Sequence, residues 1–222
     1  MKILITFSVL TLAILSFTAC NDSKPAPPAN APATGKPPAP SNFKTGVKPV
    51  ADSEAVVIET NDYGRIVLEL YPNIAPKQVE RFKQLINEKF YDGTAIHRID
   101  PNLGIIQGGD PLSKGGDPRA WGTGSSPYPN VSAEFSDIPY DRGTLGAART
   151  QDVNGANCQW FITLKKQPAF DNKYTVFGKV IEGIKNVEVI MMAPTAEGSE
   201  RPSDKVVLKS VTLQPRSNFP VQ

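Results

Sequence analysis

From residue 55 to residue 213, short apolar runs alternate with turn residues at close intervals, the pattern of a β-sandwich or barrel. The first two runs, Ala55 to Thr60 and Arg65 to Tyr71, are joined by Asn61-Asp62-Tyr63-Gly64 and read as a hairpin. Later strands are expected at Ala95 to Ile99, Ile105 to Gln107, Gly143 to Ala148, Gln159 to Thr163, Tyr174 to Ile181 and Val206 to Leu213, eight in all. Between them the period changes. Val79, Phe82, Leu85 and Ile86 recur at spacings of three and four behind Pro76, predicting a helix over about 75–88. Ile184, Val187 and Ile190 or Met191 predict a second over about 183–192, stopped by Pro194. Eight strands close into a barrel whose interior is just filled by side chains, so an active site would lie outside it, with the helices over the open ends. The glycine- and proline-rich stretch from Pro111 to Pro129 is a long excursion, and such loops are usually functional or disordered.

The N-terminus departs from this pattern. Met1-Lys2 precedes the uncharged run Ile3 to Ala19, which as a helix would reach roughly 26 Å, short of a ~30 Å hydrocarbon core. A positive start, an apolar centre and small residues before a boundary mark a secretory signal peptide over 1–19. Leu15-Ser16-Phe17-Thr18-Ala19-Cys20 resembles the lipobox of bacterial lipoproteins, with Phe17 where Leu is usual. That resemblance implies acylation of Cys20 and a protein lipid-anchored in the cell envelope, facing the periplasm or the surface. Residues 21–49 hold 8 prolines, 5 alanines and four lysines against one acid, a composition that cannot pack a core. A disordered linker over 20–54 is therefore expected, then a folded domain over 55–214 and a tail over 215–222.

Charge and composition narrow the chemistry. Five of the 24 Lys+Arg and one of the 22 Asp+Glu lie in the first 50 residues, leaving 19 against 21 in the rest, without an electrostatic footprint for nucleic acid. The single histidine, His97, excludes sites that need two imidazoles, and two cysteines cannot build a Cys-rich zinc cluster, so no metal and no cofactor is expected. With Cys20 acylated, Cys158 has no disulfide partner and reads as a buried structural thiol. There is no Gly-x-Ser-x-Gly elbow, dinucleotide fingerprint or P-loop.

Four segments stand out in order: Ile96-His97-Arg98-Ile99, Ile105-Ile106-Gln107-Gly108-Gly109-Asp110, Gln159-Trp160-Phe161-Ile162, and Phe170 through Val180. Together they resemble the cyclophilin family of peptidyl-prolyl cis/trans isomerases, over roughly Val56 to Leu213. The resemblance implies a mainly β fold, an eight-stranded antiparallel closed barrel capped by two helices. It implies Arg98 as the catalytic arginine, Gln107 as the group orienting the substrate backbone and Phe161 as the floor of the proline pocket. Phe170 and Tyr174 fall on the pocket wall, and Ala148, Arg149 and Gln159 on the peptide groove. His97 reads as structural, because the reaction transfers no proton.

The chain departs from the family at three places. Pro101-Asn102-Leu103-Gly104-Ile105 is one residue longer than usual and lacks the pocket phenylalanine, so Leu103 or Ile105 must wall the site. Ala169 stands where cyclosporin-sensitive members carry Trp, which implies weak cyclosporin binding. Arg149 replaces an asparagine. The expected function is an isomerase for X-Pro bonds in exported or unfolded polypeptides, monomeric and anchored to a membrane by lipid. The alternative is a catalytically weak cyclophilin-like peptide-binding or chaperone module.

Overall fold

Four residues on neighbouring strands, Ile99, Ile106, Ile162 and Leu145, stand opposite one another in register and are fully buried. One position along, Arg98, Gln107, Phe161 and Gly146 make the adjacent row. Successive strand residues face opposite sides of a sheet, so the first row belongs to the interior and the second to the outer face. This alternation organises the computed structural model, which describes residues 43–220. The expectations for the signal peptide, for Cys20 and for the linker up to residue 42 lie outside the described residues.

The strands are β1 (Glu54–Thr60), β2 (Arg65–Leu70), β3 (Ala95–Ile96), β4 (Arg98–Asp100), β5 (Ile105–Gly108), β6 (Thr144–Ala147), β7 (Trp160–Thr163), β8 (Val176–Glu182) and β9 (Val206–Pro215). They form one antiparallel sheet in the order β3-β9-β1-β2-β8-β6-β7-β5-β4, a nearly closed barrel. Nine strands replace the expected eight because the stretch Ala95 to Ile99 is divided at His97. Before the break, Ala95 pairs with Val207 of β9; after it, Arg98 pairs with Gln107 of β5. A single strand thus changes neighbours and brings the two edges together. The His97 N–H, donating to the Gln107 carbonyl at 3.0 Å, bridges the step.

Helices α1 (Pro76–Asn87) and α2 (Ile184–Met191) lie where the 3.6-residue period places them. Phe82 of α1 and Val187 and Ile190 of α2 are buried in the same core cluster as Ile106 and Ile162. Phe82 packs its ring at 5.3 Å from that of Phe177, edge to face. Burying such a side chain contributes about 1.5–3 kcal/mol. No described helix is long and apolar enough to cross a membrane.

Both ends of the described chain correct the expected boundaries. Residues 43–53, assigned by composition to the linker, lie along the barrel. The Lys44 ammonium donates to the carbonyls of Asn73 and Ile74 at 2.7 and 2.8 Å, and its backbone forms a parallel bridge to Ser136. Asn73 ties down the same strap through the Val50 N–H and the Lys48 carbonyl. At the other end β9 runs to Pro215, Arg216 pairs with Glu69 at 3.0 Å, and Phe219 is buried against Ala55, Val57 and Val67. Apolar residues on the outer face of β1 and β2 need a cover, and the expected tail supplies it.

Candidate active site

The row Arg98, Gln107, Phe161, Gly146 crosses β4, β5, β7 and β6, with neighbouring strands roughly 4.8 Å apart. Registry alone therefore sets a guanidinium, a carboxamide and a phenyl ring side by side on the outer face. Gly146, next in the row, is glycine because a Cβ there would run into the Phe161 ring and the Tyr140 hydroxyl. Its missing side chain is the space over which those rings lie.

Arg98 is one-third exposed, and its guanidinium is held from three sides. Nη2 donates to Asp100 at 2.8 Å, Nη1 reaches Gln107 Oε1 at 3.4 Å, and Nε donates to Glu200. A guanidinium carries five N–H groups, so one on each terminal nitrogen stays available to a ligand. Asp100 is buried and its other oxygen accepts the Leu103 N–H at 2.9 Å. One carboxylate thus joins the arginine to the segment beside the aromatic rings. Asp100 follows Arg98 by two residues in a strand, a spacing that puts both on one face and was open to sequence reasoning. Glu200, 102 residues away, carries no local signal.

Gln107 Nε2 donates to Gln159 Oε1 at 3.0 Å, and Gln159 Nε2 donates to the carbonyls of Gly122 and Gly124 at 3.0 and 2.9 Å. These carbonyls belong to the Pro111–Pro129 excursion, which is tied down by Asp110. That carboxylate is fully buried and accepts from the N–H groups of Leu112, Gly122 and Gly124. Gly124 must be glycine there, since a Cβ would collide with Asp110. The long loop thereby takes part in aligning Gln107. Ala148, Arg149, Gln159, Gly122 and Gly124 border a cavity of about 390 Å³ beside Gln107, so three of the residues expected in the peptide groove are brought together.

The apolar half is a cage of rings. Phe161 stacks on Tyr140 at 5.5 Å and meets Phe170 and Tyr174 edge-on at 5.5 and 5.7 Å. Ile105 is buried in this cluster, whereas Leu103 is only half-buried and packs against it. Of the two residues left open for the pocket wall, Leu103 is the one that keeps surface for a ligand. Tyr140 was missed by sequence reasoning because it comes from an irregular segment. Its buried hydroxyl has no hydrogen-bond partner among the described residues. The Arg149 guanidinium lies over the Tyr174 ring at 4.6 Å and donates to the Lys173 and Thr150 carbonyls.

Two groups are removed from proton chemistry by burial. His97 sits at the break between β3 and β4, and desolvation pushes its imidazole pKa down to about 4, leaving a neutral ring at pH 7. Cys158 is buried and free, its thiol pushed up to about 12, mainly by desolvation. Among the described residues no cluster of three or more His, Cys, Asp or Glu could hold a metal ion. The arrangement offers a directed cation, an amide that can hold a peptide unit, and an apolar surface, without an acid or base tuned for proton transfer.

A family model described as cyclophilin type peptidyl-prolyl cis-trans isomerase/CLD matches residues 55–213. A "Probable peptidyl-prolyl cis-trans isomerase" of Brucella suis biovar 1 (strain 1330) is 41% identical over 166 residues, covering 72% of this chain and 84% of the relative. "Peptidyl-prolyl cis-trans isomerase-like 3" of Gallus gallus is 36% identical over 163 residues, covering 72% and 95%. The crystal structure of a Cryptosporidium parvum cyclophilin type peptidyl-prolyl cis-trans isomerase superposes with a TM-score of 0.64 at 29% identity, over 72% of this chain and 97% of that one. A second structure of that protein, in the presence of the dipeptide Ala-Pro, gives 0.63 at 28% identity over 72% and 98%.

Proposed function

Because the chain belongs to the cyclophilin-type peptidyl-prolyl cis-trans isomerase family, we propose that Arg98, Gln107 and the Phe161 cage rotate X-Pro bonds in exported polypeptides, on a body tethered to the cell envelope. The observation that carries this reading is the single cross-strand row that sets a guanidinium with free N–H groups beside Gln107 and Phe161. The Ala-Pro dipeptide present with the Cryptosporidium parvum relative supports a proline peptide as the ligand class.

An X-Pro bond resists rotation through amide resonance, with a barrier of ~18–20 kcal/mol, and turns over unaided in tens to hundreds of seconds. Bringing that to milliseconds requires at least about 10⁴-fold, or about 5.4 kcal/mol. A charge-assisted hydrogen bond contributes only ~1.5–3 kcal/mol net, so the arginine alone is insufficient. As the bond twists, the prolyl nitrogen loses resonance and gains a lone pair. An N–H of Arg98 aimed at that nitrogen stabilises the twisted state more than either planar one, the requirement for catalysis. Phe161, Phe170, Tyr174 and Leu103 supply an apolar seat for the ring, where a charge acts more strongly than in water. Gln107, aligned by Gln159, holds the adjoining peptide unit.

Arg98→Ala is expected to lower kcat/KM by about 10- to 150-fold, as loss of one charge-assisted contact would. The fold should persist, because the side chain lies on the outer face. Proline-limited refolding of a test substrate, with circular dichroism of the variant, measures both; wild-type rates would refute the assignment. Asp100 and Glu200 flank Arg98 with negative charge, and this favours the second reading, a peptide-binding module of weak activity. A wild-type chain that binds proline peptides without accelerating their isomerisation would establish it. The envelope tether rests on the apolar run Ile3 to Ala19 and on Cys20; an unmodified Cys20 in the mass spectrum of the mature protein would remove it.

A further inference from the structure

Arg98 borders a second, more polar cavity of about 600 Å³, none of whose lining residues belongs to the aromatic cage. Its walls come from the loop carrying Arg119 and Trp121, from Arg149, and from the segment Ser199-Glu200-Arg201. Four arginines therefore face one hollow. Two of them are matched by acids: Arg98 by Asp100 and Glu200, and Arg119 by Asp117. Arg149 and Arg201 have no carboxylate partner among the described residues.

Both unmatched arginines are nonetheless fixed. Arg149 lies on the Tyr174 ring and donates to main-chain carbonyls; Arg201 stands 6.0 Å from the Trp121 ring centre and donates from Nη1 to the Pro118 carbonyl at 3.3 Å. Carbonyls and ring faces position a guanidinium without cancelling its charge. Much of the entropy cost of ordering these side chains is met before a ligand arrives. Lys205, 5.3 Å from the same Trp121 ring, adds to the positive field. Glu200, the one acid lining the hollow, is committed to Arg98 and shows that a carboxylate can be accommodated there.

Resting on the isomerase reading above, we infer that this cavity is a subsite for a carboxylate side chain of the substrate. It selects X-Pro segments that carry Asp or Glu close to the proline. The cavity shares Arg98, Gln107, Gly122 and Arg149 with the site and its groove, so a residue near the proline enters it while the proline ring occupies the aromatic cage.

The test uses the full chain and two pairs of peptides. Each pair differs only by Glu against Gln, placed before the X-Pro unit in one and after the proline in the other. In at least one pair kcat/KM is expected to favour Glu by about fivefold at low ionic strength, and the preference should shrink with added salt. Arg201→Gln should abolish most of that preference while leaving turnover of the Gln peptide unchanged. Equal rates within both pairs, or a preference that survives Arg201→Gln, would overturn the subsite. If no peptide is turned over, the isomerase reading fails separately. Calorimetric titration of the same pairs then decides the subsite: tighter Glu binding that Arg201→Gln removes supports it, and equal affinities overturn it.

Discussion

Arg98, Gln107 and Gln159 are joined by side-chain hydrogen bonds that continue into the Gly122 and Gly124 carbonyls. Phe161, Phe170, Tyr174 and Tyr140 share no side-chain hydrogen bond and meet through their faces and edges. Arg98, Gln107 and Gln159 are partly exposed, so water can replace their lost partners, the buried Asp100 apart, and geometry is chiefly what a mutation there takes away. The rings are packed like a core, and removing one leaves a void that neighbours fill only in part. Asp100 is the joint between the two halves, accepting from Arg98 with one oxygen and from the Leu103 N–H with the other. One half should lose activity without stability, and the other should lose both.

The largest effect is expected from Phe161→Ala. Its ring is buried and touches three others, so unfolding in urea should report a loss of about 3–5 kcal/mol together with the loss of isomerase activity. A variant as stable as wild type would show that the rings are not packed as a core.

His97 sharpens the contrast from the opposite side, since it stands next to Arg98 and should affect stability alone. Its folded pKa of about 4 lies below the ordinary value near 6.5, so the unfolded chain binds the proton first. Stability attributable to this residue is therefore level above about pH 6.5, falls as the pH drops toward 4, and is level again below that. Between pH 7 and pH 5, wild type should lose about 2 kcal/mol more than His97→Gln in denaturant titrations. The isomerase rate should stay flat between about pH 6 and 8, because no proton transfer passes through the ring. A rate that follows His97 protonation would break the division.

Gln159→Leu is the smallest of the three in stability and the cleanest in separating the halves. It frees Gln107 and two carbonyls that water can reach, so stability should change by less than about 1 kcal/mol. Misalignment of Gln107 should nevertheless lower kcat/KM by about tenfold. Unchanged kinetics in this variant would mean that the link to the loop does not align the site.

The strands were legible because short apolar runs bounded by turn residues leave a strong mark, as in the runs that carry Ile99, Ile106, Ile162 and Leu145, all fully buried. The division of the third strand at His97 was not, since it arises where the barrel closes and nothing in Ala95 to Ile99 announces a change of neighbour. Arg98, Gln107 and Phe161 were read through a family resemblance, and the register places them in one row. Glu200 and Trp121 lie on distant loops whose approach depends on the whole fold. Composition misassigned residues 43–54: proline and lysine suggested solvent, yet Lys44 is held by two carbonyls on the barrel.

The strap at 43–53 has a mechanical consequence. A pull on the chain upstream of Phe43 meets the Lys44 ammonium, the Lys44 N–H on the Phe135 carbonyl and the Asp137 N–H on the Lys44 carbonyl before it reaches β1. The load is taken first by a single parallel bridge on the flank, outside the nine-stranded sheet that carries Arg98.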